Sequence, residues 1–526
     1  MVCCGLVKTV LWPFLALGDL LGLPHWLSYT IIFAVPAYIY LTRKHGRWSE
    51  AGVAGPRPYP LLGNMPQLLR SGFAGDLELV RQYGRVFGFF QMQQPGLAIA
   101  VPELVKEVCV KNFDAFQNHP TNGRGDEWKG LRNVITPTFS SAKMRRMSKI
   151  ITVCGKDFVQ ALSKVGEVEV DMKRFAGNFT VDVIGRTMFG VEVNSQEDLN
   201  SPFLLHSKRA FEEFNWARLL PMMMMSLLPE FIRKPICDFF NLGAFDQAGI
   251  YFFSIRSVLS LRKGLKEKPN DFIQILLEAQ DTEMEEGDSG KVSALESTQE
   301  TYQQVKDWRV GKRALSEAEI LSNAIIFFMV GYETTASALT WMFHLLAFHQ
   351  DAQQRLYEEV SAKMAASNGD IGYDEVATMP YLDQVFCETL RLYPSAFRTD
   401  RVCNQTTTVG DKVVQEDELV HILIYAIQRD PDLWPDPDRF DPERFSAENK
   451  ASIVPYSWIP FGTGPRNCVG MRLAILEAKI AAAYVINSFQ LLPGPNSVAN
   501  PKLANTGFFL TPEGKKIPLI VKPRSG

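Results

Sequence analysis

The sequence predicts a mainly α-helical body with a small β-rich part near the N-terminus, preceded by an N-terminal membrane anchor. Three observations carry this. From about residue 126, tracts such as Ser140 to Gly166, Thr180 to Phe189 and Gln247 to Lys263 space their apolar residues by three and four, the period of one helix face. Before them, "RVFGFFQ" and "GLAIAVP" have strand length and fit a hairpin. At the start, "WLSYTIIFAVPAYIYL", Trp26 to Leu41, is uncharged and mostly apolar.

With the preceding "LLGLPH", that run is long enough to cross a bilayer as a helix, at ~1.5 Å per residue. "TRKHGR" follows, so the positive-inside rule puts the rest of the chain in the cytosol, with Trp26, Tyr38 and Tyr40 near the interfaces. No small-residue cleavage pattern is present, which favours a retained anchor. An earlier run, Leu6 to Leu23, carries Lys8, Pro13 and Asp19 and reads as an interfacial segment or a second, poorer span. Pro56, Pro58 and Pro60 in "AGVAGPRPYPLLGNMP" predict a stiff, extended tether. The expected division is an anchor region over 1–43, a basic and proline-rich linker over 44–66, and one catalytic domain over 67–526.

Composition narrows the function. The 526 residues are 46% hydrophobic and 21% charged, which suits a large globular body. A net charge of −3 argues against general nucleic-acid binding, which normally shows as a basic excess. The eight cysteines, at 3, 4, 109, 154, 237, 387, 403 and 468, lack the dense spacing of a secreted disulfide framework and point to a reducing compartment. No C-x-x-C accompanies Cys468 and no H-E-x-x-H occurs, so zinc has no support.

Further along, "ELVKEVCVKN" reads as a brief helix. The polar, mixed-charge segment from Asp281 to Arg313 reads as a long exposed loop, and Met222 to Met225 as plastic apolar filler. Ser316 with Glu319 forms a capping-box pattern and Leu315 with Ile320 a hydrophobic staple, opening a long helix to about His349. Its middle, "IIFFMVGYETTASALTW", is odd for a core helix, because Gly331, Glu333 and two threonines interrupt an apolar run. Two readings stay open: Glu333 faces solvent while the threonines bond backbone carbonyls one turn earlier, or Gly331 opens space beside a cofactor while Glu333 and Thr334 handle protons there.

Three more pieces carry chemistry. "ETLR" places Glu388 and Arg391 on one face of a helix opened by Pro380 and closed before Pro394. "DPERF" supplies Arg444, able to join that carboxylate and pin an irregular segment. In "FGTGPRNCVGMRLA", a glycine-rich loop delivers Cys468 to the start of a helix, where free N–H groups and the dipole stabilise a thiolate. Gly464 lets that loop turn, Gly470 lets the helix approach a flat ligand, and Arg466 is placed to reach an anionic group beside it.

"FGTGPRNCVG" matches the F-x-x-G-x-R-x-C-x-G signature of the cytochrome P-450 superfamily, and "GYETT", "ETLR" and "PERF" match its other signatures in order and spacing. The chain resembles that family from the proline-rich segment to the C-terminus, with particular likeness to the animal microsomal clan of hepatic drug-oxidising enzymes and thromboxane synthase. The resemblance implies the cytochrome P-450 fold and haem b, with Cys468 as the axial thiolate. Phe461 and Gly470, in the same signature, would line the cofactor. It implies that Trp128 and Arg132 of "WKGLR", with Arg401 and Arg466, hold the haem propionates. Thr334 and Glu333 would handle dioxygen and protons, and Glu388, Arg391 and Arg444 would form a structural triad.

The activity implied is a haem-thiolate monooxygenase at the endoplasmic reticulum membrane. It would insert one oxygen atom from dioxygen into a lipophilic substrate, with electrons from NADPH through a flavoprotein reductase and with cytochrome b5 as a further partner. The pocket would include Met329, Val330, Ser395, Ala396 and Phe397. Lys129, Lys143, Arg145, Arg146 and Lys149 form a basic stretch that suits either an acidic reductase face or plain solvation. Two departures stand out: Val330 replaces the usual alanine or glycine, and only "NHPTNGRGDE" separates "FDAFQ" from Trp128, where relatives carry a substrate-covering helix. The alternatives are an isomerase of the thromboxane-synthase type, which has little need of Glu333 and Thr334, and a catalytically idle haem-binding lipid carrier.

Overall fold

The computed structural model describes residues 24–67, 74–120, 125–199, 201, 204, 235, 272–281, 315–504 and 509–524. The expectations for Leu6 to Leu23, Met222 to Met225, Gln247 to Lys263 and nearly all of the 281–313 loop fall outside these residues, as do 121–124 of the short connection. In chain order the main elements are α1 (His25–Thr42), α2 (Ala74–Tyr83), β1 (Val86–Gln91), β2 (Gln94–Ile99), α3 (Gly125–Ile135), α4 (Ser141–Ser163), β3 (Glu169–Asp171), α5 (Met172–Met188) and α6 (Phe272–Asp281). There follow α7 (Glu317–Phe348), α8 (Gln350–Ala366), α9 (Pro380–Leu392), β4 (Thr399–Val402), β5 (Thr407–Val409), β6 (Lys412–Val414), β7 (Leu419–Ile422), α10 (Met471–Ser488), β8 (Phe489–Pro493) and β9 (Pro518–Pro523).

Local signals account for several of these. The capping box forms as expected: the Glu319 N–H donates to Ser316 Oγ at 3.3 Å and the Ser316 N–H to Glu319 Oε2 at 2.9 Å. Leu315 and Ile320 are both buried beside it. Pro380 occupies the first turn of α9, and the helix ends two residues before Pro394. β1 and β2 pair antiparallel from Val86↔Ile99 to Gln91↔Gln94.

The proline-rich segment corrects the expected tether. Trp48 is buried and donates its indole N–H to the Phe89 carbonyl at 3.1 Å. The Gly88 N–H donates to the Ala54 carbonyl at 2.8 Å, and a Cβ at Gly55 would lie 2.0 Å from the Gly88 carbonyl oxygen. Asn64 donates to the carbonyls of Pro56 and Arg57 and accepts from the Phe90 N–H at 2.7 Å. Side chains supply the bonds that the prolines cannot, and the segment lies along β1 as part of the body.

The first sheet has the order β1-β2-β7-β4, with β2 and β7 parallel and the other pairs antiparallel. β9 pairs with β3 and β8 in a separate three-stranded sheet. Leu519 and Val521 on its inward face join the helical core, which draws the C-terminal strand there. That core gathers α4, α5, α7, α8, α9 and α10, whereas β1, β2, β4 and β7 build a second cluster around Phe87, Phe89 and Leu97. At the N-terminus, α1 exposes Trp26, Tyr29, Tyr38 and Tyr40. Among the described residues no helix is long and apolar enough to cross a membrane.

Candidate active site

The glycine-rich loop is held by its own backbone. The Cys468 N–H donates to the Phe461 carbonyl at 2.8 Å, and the Asn467 N–H to the Gly464 carbonyl at 2.9 Å. Gly464 has φ +72°, and a Cβ there would sit 2.0 Å from the Cys109 carbonyl oxygen, so both the turn and the close approach require glycine. Gly470 caps α10, two residues after Cys468. A Cβ on Gly470 would meet open space, so protein packing does not demand that glycine.

Of the five cysteines in the described residues, all unbridged, Cys468 is the exposed one. Its thiol nonetheless lies deep enough that burial raises its pKa above the ordinary value. The Gly470 N–H, the Arg132 guanidinium and the Met471 N–H pull the other way, favouring the thiolate.

Beside the thiol, four expected residues come together from three parts of the chain. Arg132, on α3, donates to the Asn467 carbonyl and to Asn467 Oδ1, both at 2.8 Å, and so also fixes the loop next to Cys468. The Arg466 guanidinium lies 4.0 Å from the centre of the Trp128 ring. Arg401, on β4, donates to the Asp400 carbonyl at 2.8 Å and to Thr399 Oγ1 at 3.2 Å, and it contacts His119 Nε2 at 3.1 Å. Its Nε is buried without a hydrogen-bond partner. Burial, then the positive charges of Arg401 and Arg132, lower the pKa of Arg466 to about 9. Burial, Arg401 and Arg466 lower His119 to about 3, so its neutral ring accepts from Arg401.

These residues fit haem. Arg401 keeps a buried donor for an anion in a neighbourhood of clustered positive charge, as propionates require. Among the described residues no three His, Cys, Asp or Glu side chains are grouped to hold a metal. The open space at Gly470 suits a flat ring.

On α7, the Thr334 hydroxyl donates to the Val330 carbonyl at 2.6 Å, as one of the two open readings required. Ile326 and Val330, two turns and one turn before it, are 50% and 47% exposed on a mostly buried helix. Val330 therefore projects from the accessible face. Ser395 Oγ donates to the Thr334 carbonyl at 2.8 Å.

Glu333 does not face solvent: it is buried and pairs with Lys173 of α5, Nζ to Oε1, at 2.9 Å. Gly331 sits at a close contact between helices. A Cβ there would lie 2.7 Å from Ile184 Cδ1, so its missing side chain serves the crossing of α5 and α7.

Glu388 and Arg391 form a bidentate pair at 2.6 and 2.8 Å, completely buried, not the surface pair that ETLR alone would suggest. Arg391 also donates to the carbonyls of Gln428, Pro437 and Arg439, and Glu388 accepts from the Asp441 N–H. Arg444 Nε approaches Glu388 at 3.6 Å. In the basic stretch, Arg145 pairs with Asp374 at 2.9 Å, which lowers the free charge of that face.

Three residues of this site were not visible as such in the sequence. Asn467 lies inside the cysteine motif, where its spacing to Arg132 gave no signal. His119 and Lys173 meet their partners only through the fold.

The sequence profile of the family described as Cytochrome P450 matches residues 53–519. Cytochrome P450 3A29 of Sus scrofa is 34% identical over 507 residues, covering 93% of this chain and 95% of that protein. Cytochrome P450 3A2 of Rattus norvegicus is 34% identical with 96% and 97% covered, and cytochrome P450 3A7 of Homo sapiens 34% with 93% and 94%.

Proposed function

This chain belongs to the cytochrome P450 family and is a P450 monooxygenase, and we propose that its substrate is a lipophilic small molecule, a xenobiotic, steroid or lipid, oxidised with NADPH electrons from a membrane flavoprotein reductase. The observation that carries the reading is Cys468: one accessible thiol at a helix start, its loop closed by glycine and its neighbour Asn467 gripped by Arg132. Haem iron, when bound by such a thiolate, supplies the activation of dioxygen.

The protein's own residues do the rest. Cys468 ligates, the Phe461 carbonyl and Gly464 hold its loop in register, and Gly470 leaves room for the ring. Arg401 and Arg466, with Trp128 and Arg132, bind the propionates by charge-assisted hydrogen bonds. Thr334 has its hydroxyl hydrogen on the Val330 carbonyl, so its oxygen accepts a proton-bearing partner in the pocket. Glu333, one residue before Thr334 on α7 and paired with Lys173, relays protons towards the pocket. Val330, Met329, Ala396 and Phe397 make an apolar wall that limits water and favours a lipophilic ligand.

Residues 1–43 act as a single-pass anchor in the endoplasmic reticulum membrane with the body in the cytosol. The exposed Trp26, Tyr29, Tyr38 and Tyr40 of α1 support this, since such rings favour the interface. The reductase, and cytochrome b5 as a second donor, would meet the face carrying Lys129, Lys143, Arg146 and Lys149. Charge reversal there raises the KM for reductase if this is the docking face; an unchanged KM marks a merely solvated face.

The deciding experiment reconstitutes the protein with NADPH-dependent reductase and a panel of testosterone, arachidonic acid and an alkoxycoumarin. Oxygenated product that requires NADPH is expected. Rearranged product formed without NADPH would assign the isomerase reaction, and haem binding with no product from any of them would favour the carrier.

A further inference from the structure

We infer that Ser395 is a positioning residue for the reaction, because its hydroxyl holds the backbone carbonyl of Thr334 and thereby the conformation of α7 at that residue. The inference rests on the reading of Thr334 as the proton-handling hydroxyl.

α7 is helical without interruption from Glu317 to Phe348. In such a helix each carbonyl accepts one N–H four residues on and keeps a second lone pair. On the accessible face two successive carbonyls use it: Val330 accepts from the Thr334 hydroxyl at 2.6 Å, and Thr334 accepts from Ser395 at 2.8 Å. The first is a bond within the helix, of a kind common for threonine. The second is different, because its donor comes from another element, the segment that leaves α9.

That segment is a firm support. Pro394 restricts the backbone before Ser395. Ala396 after it forms a bridge with Phe509, and the Phe397 carbonyl accepts from the Tyr425 N–H at 2.9 Å. α9 itself is pinned through Glu388 and Arg391. Ser395 therefore delivers a fixed donor to the second lone pair of the Thr334 carbonyl, in place of a water.

Carbonyls drawn outward lengthen the ladder bonds of a helix and bend it locally. A fixed protein donor sets that displacement at one value, whereas exchanging water would not. Without Ser395, water enters beside the Thr334 hydroxyl, its orientation varies, and electrons are consumed without product.

The test uses the haem-loaded full chain as wild type, Ser395→Ala, Ser395→Thr, Thr334→Ala and the double variant of Ser395→Ala with Thr334→Ala. Two quantities are read: hydrogen exchange of the amides over residues 335–338, and product per NADPH consumed with whichever of testosterone, arachidonic acid or the alkoxycoumarin is turned over. Ser395→Ala should speed that exchange and lower coupling, each roughly fivefold, the size of one such hydrogen bond. Ser395→Thr should restore both, and in the Thr334→Ala background Ser395→Ala should change coupling no further. Wild-type exchange and coupling in Ser395→Ala would overturn the inference. So would a general loss of haem or melting temperature that Ser395→Thr does not restore, since that marks a folding role. Unchanged coupling in Thr334→Ala overturns the reading of Thr334 instead, and the role of Ser395 falls with it.

Discussion

Arg391 and Arg401 are both buried, 0% and 1% exposed, yet the protein treats their charges in opposite ways. Arg391 has a carboxylate in bidentate contact and three backbone carbonyls around it. Arg401 has a neutral histidine, a hydroxyl and one carbonyl, and among the described residues no carboxylate partner. A buried charge is costly unless it is paired. The first arginine carries its counter-ion in the chain and serves the fold. The second stands in the positive neighbourhood of Arg466 with its Nε unpartnered, and this is what supports the proposal that an anionic ligand completes its pairing.

The contrast can be broken most forcefully at Glu388. Glu388→Gln leaves Arg391 buried without compensation and should cost about 3–5 kcal/mol, read as a fall in the urea midpoint or in folded yield before any haem is added. Arg391→Lys keeps the charge but loses the fork, and a loss of about 2 kcal/mol in the same measurement is expected. Arg401→Leu should behave with the other sign: the apoprotein is no less stable than wild type, while haem dissociates about tenfold faster, since one charge-assisted bond is removed. If Arg401→Leu destabilised the apoprotein as strongly as Glu388→Gln, the two arginines would be the same kind of residue and the contrast would fail. Arg444→Ala should have the smallest effect, about 1 kcal/mol or less, because its guanidinium stands 3.6 Å from a carboxylate that Arg391 already satisfies.

Legibility in the sequence follows the range of the interactions. α7 and α9 could be bounded from a capping box and two prolines because those signals act within one turn. The cysteine loop was legible because Gly464 meets a local demand, a positive φ, that few other residues satisfy. The proline-rich segment looked like a tether because prolines lack donors, but Trp48 and Asn64 supply the bonds from side chains. β9 joins β3 and β8, strands distant from one another in the chain, and an alternating pattern gives faces and not partners. Glu333 looked unpaired in its helix because Lys173 lies on a helix far away in the chain. Gly331 was ambiguous for the same reason: from the sequence alone, space for a cofactor and space for Ile184 look alike.

The most direct measurement is the carbon-monoxide difference spectrum of the reduced, haem-loaded protein, recorded for wild type and for Cys468→Ala. A thiolate-type Soret band in the wild type, absent in Cys468→Ala, is the predicted result. The same band surviving in Cys468→Ala would contradict the assignment of Cys468 as the axial ligand, and a wild type with only a histidine-like band would contradict the haem-thiolate account itself.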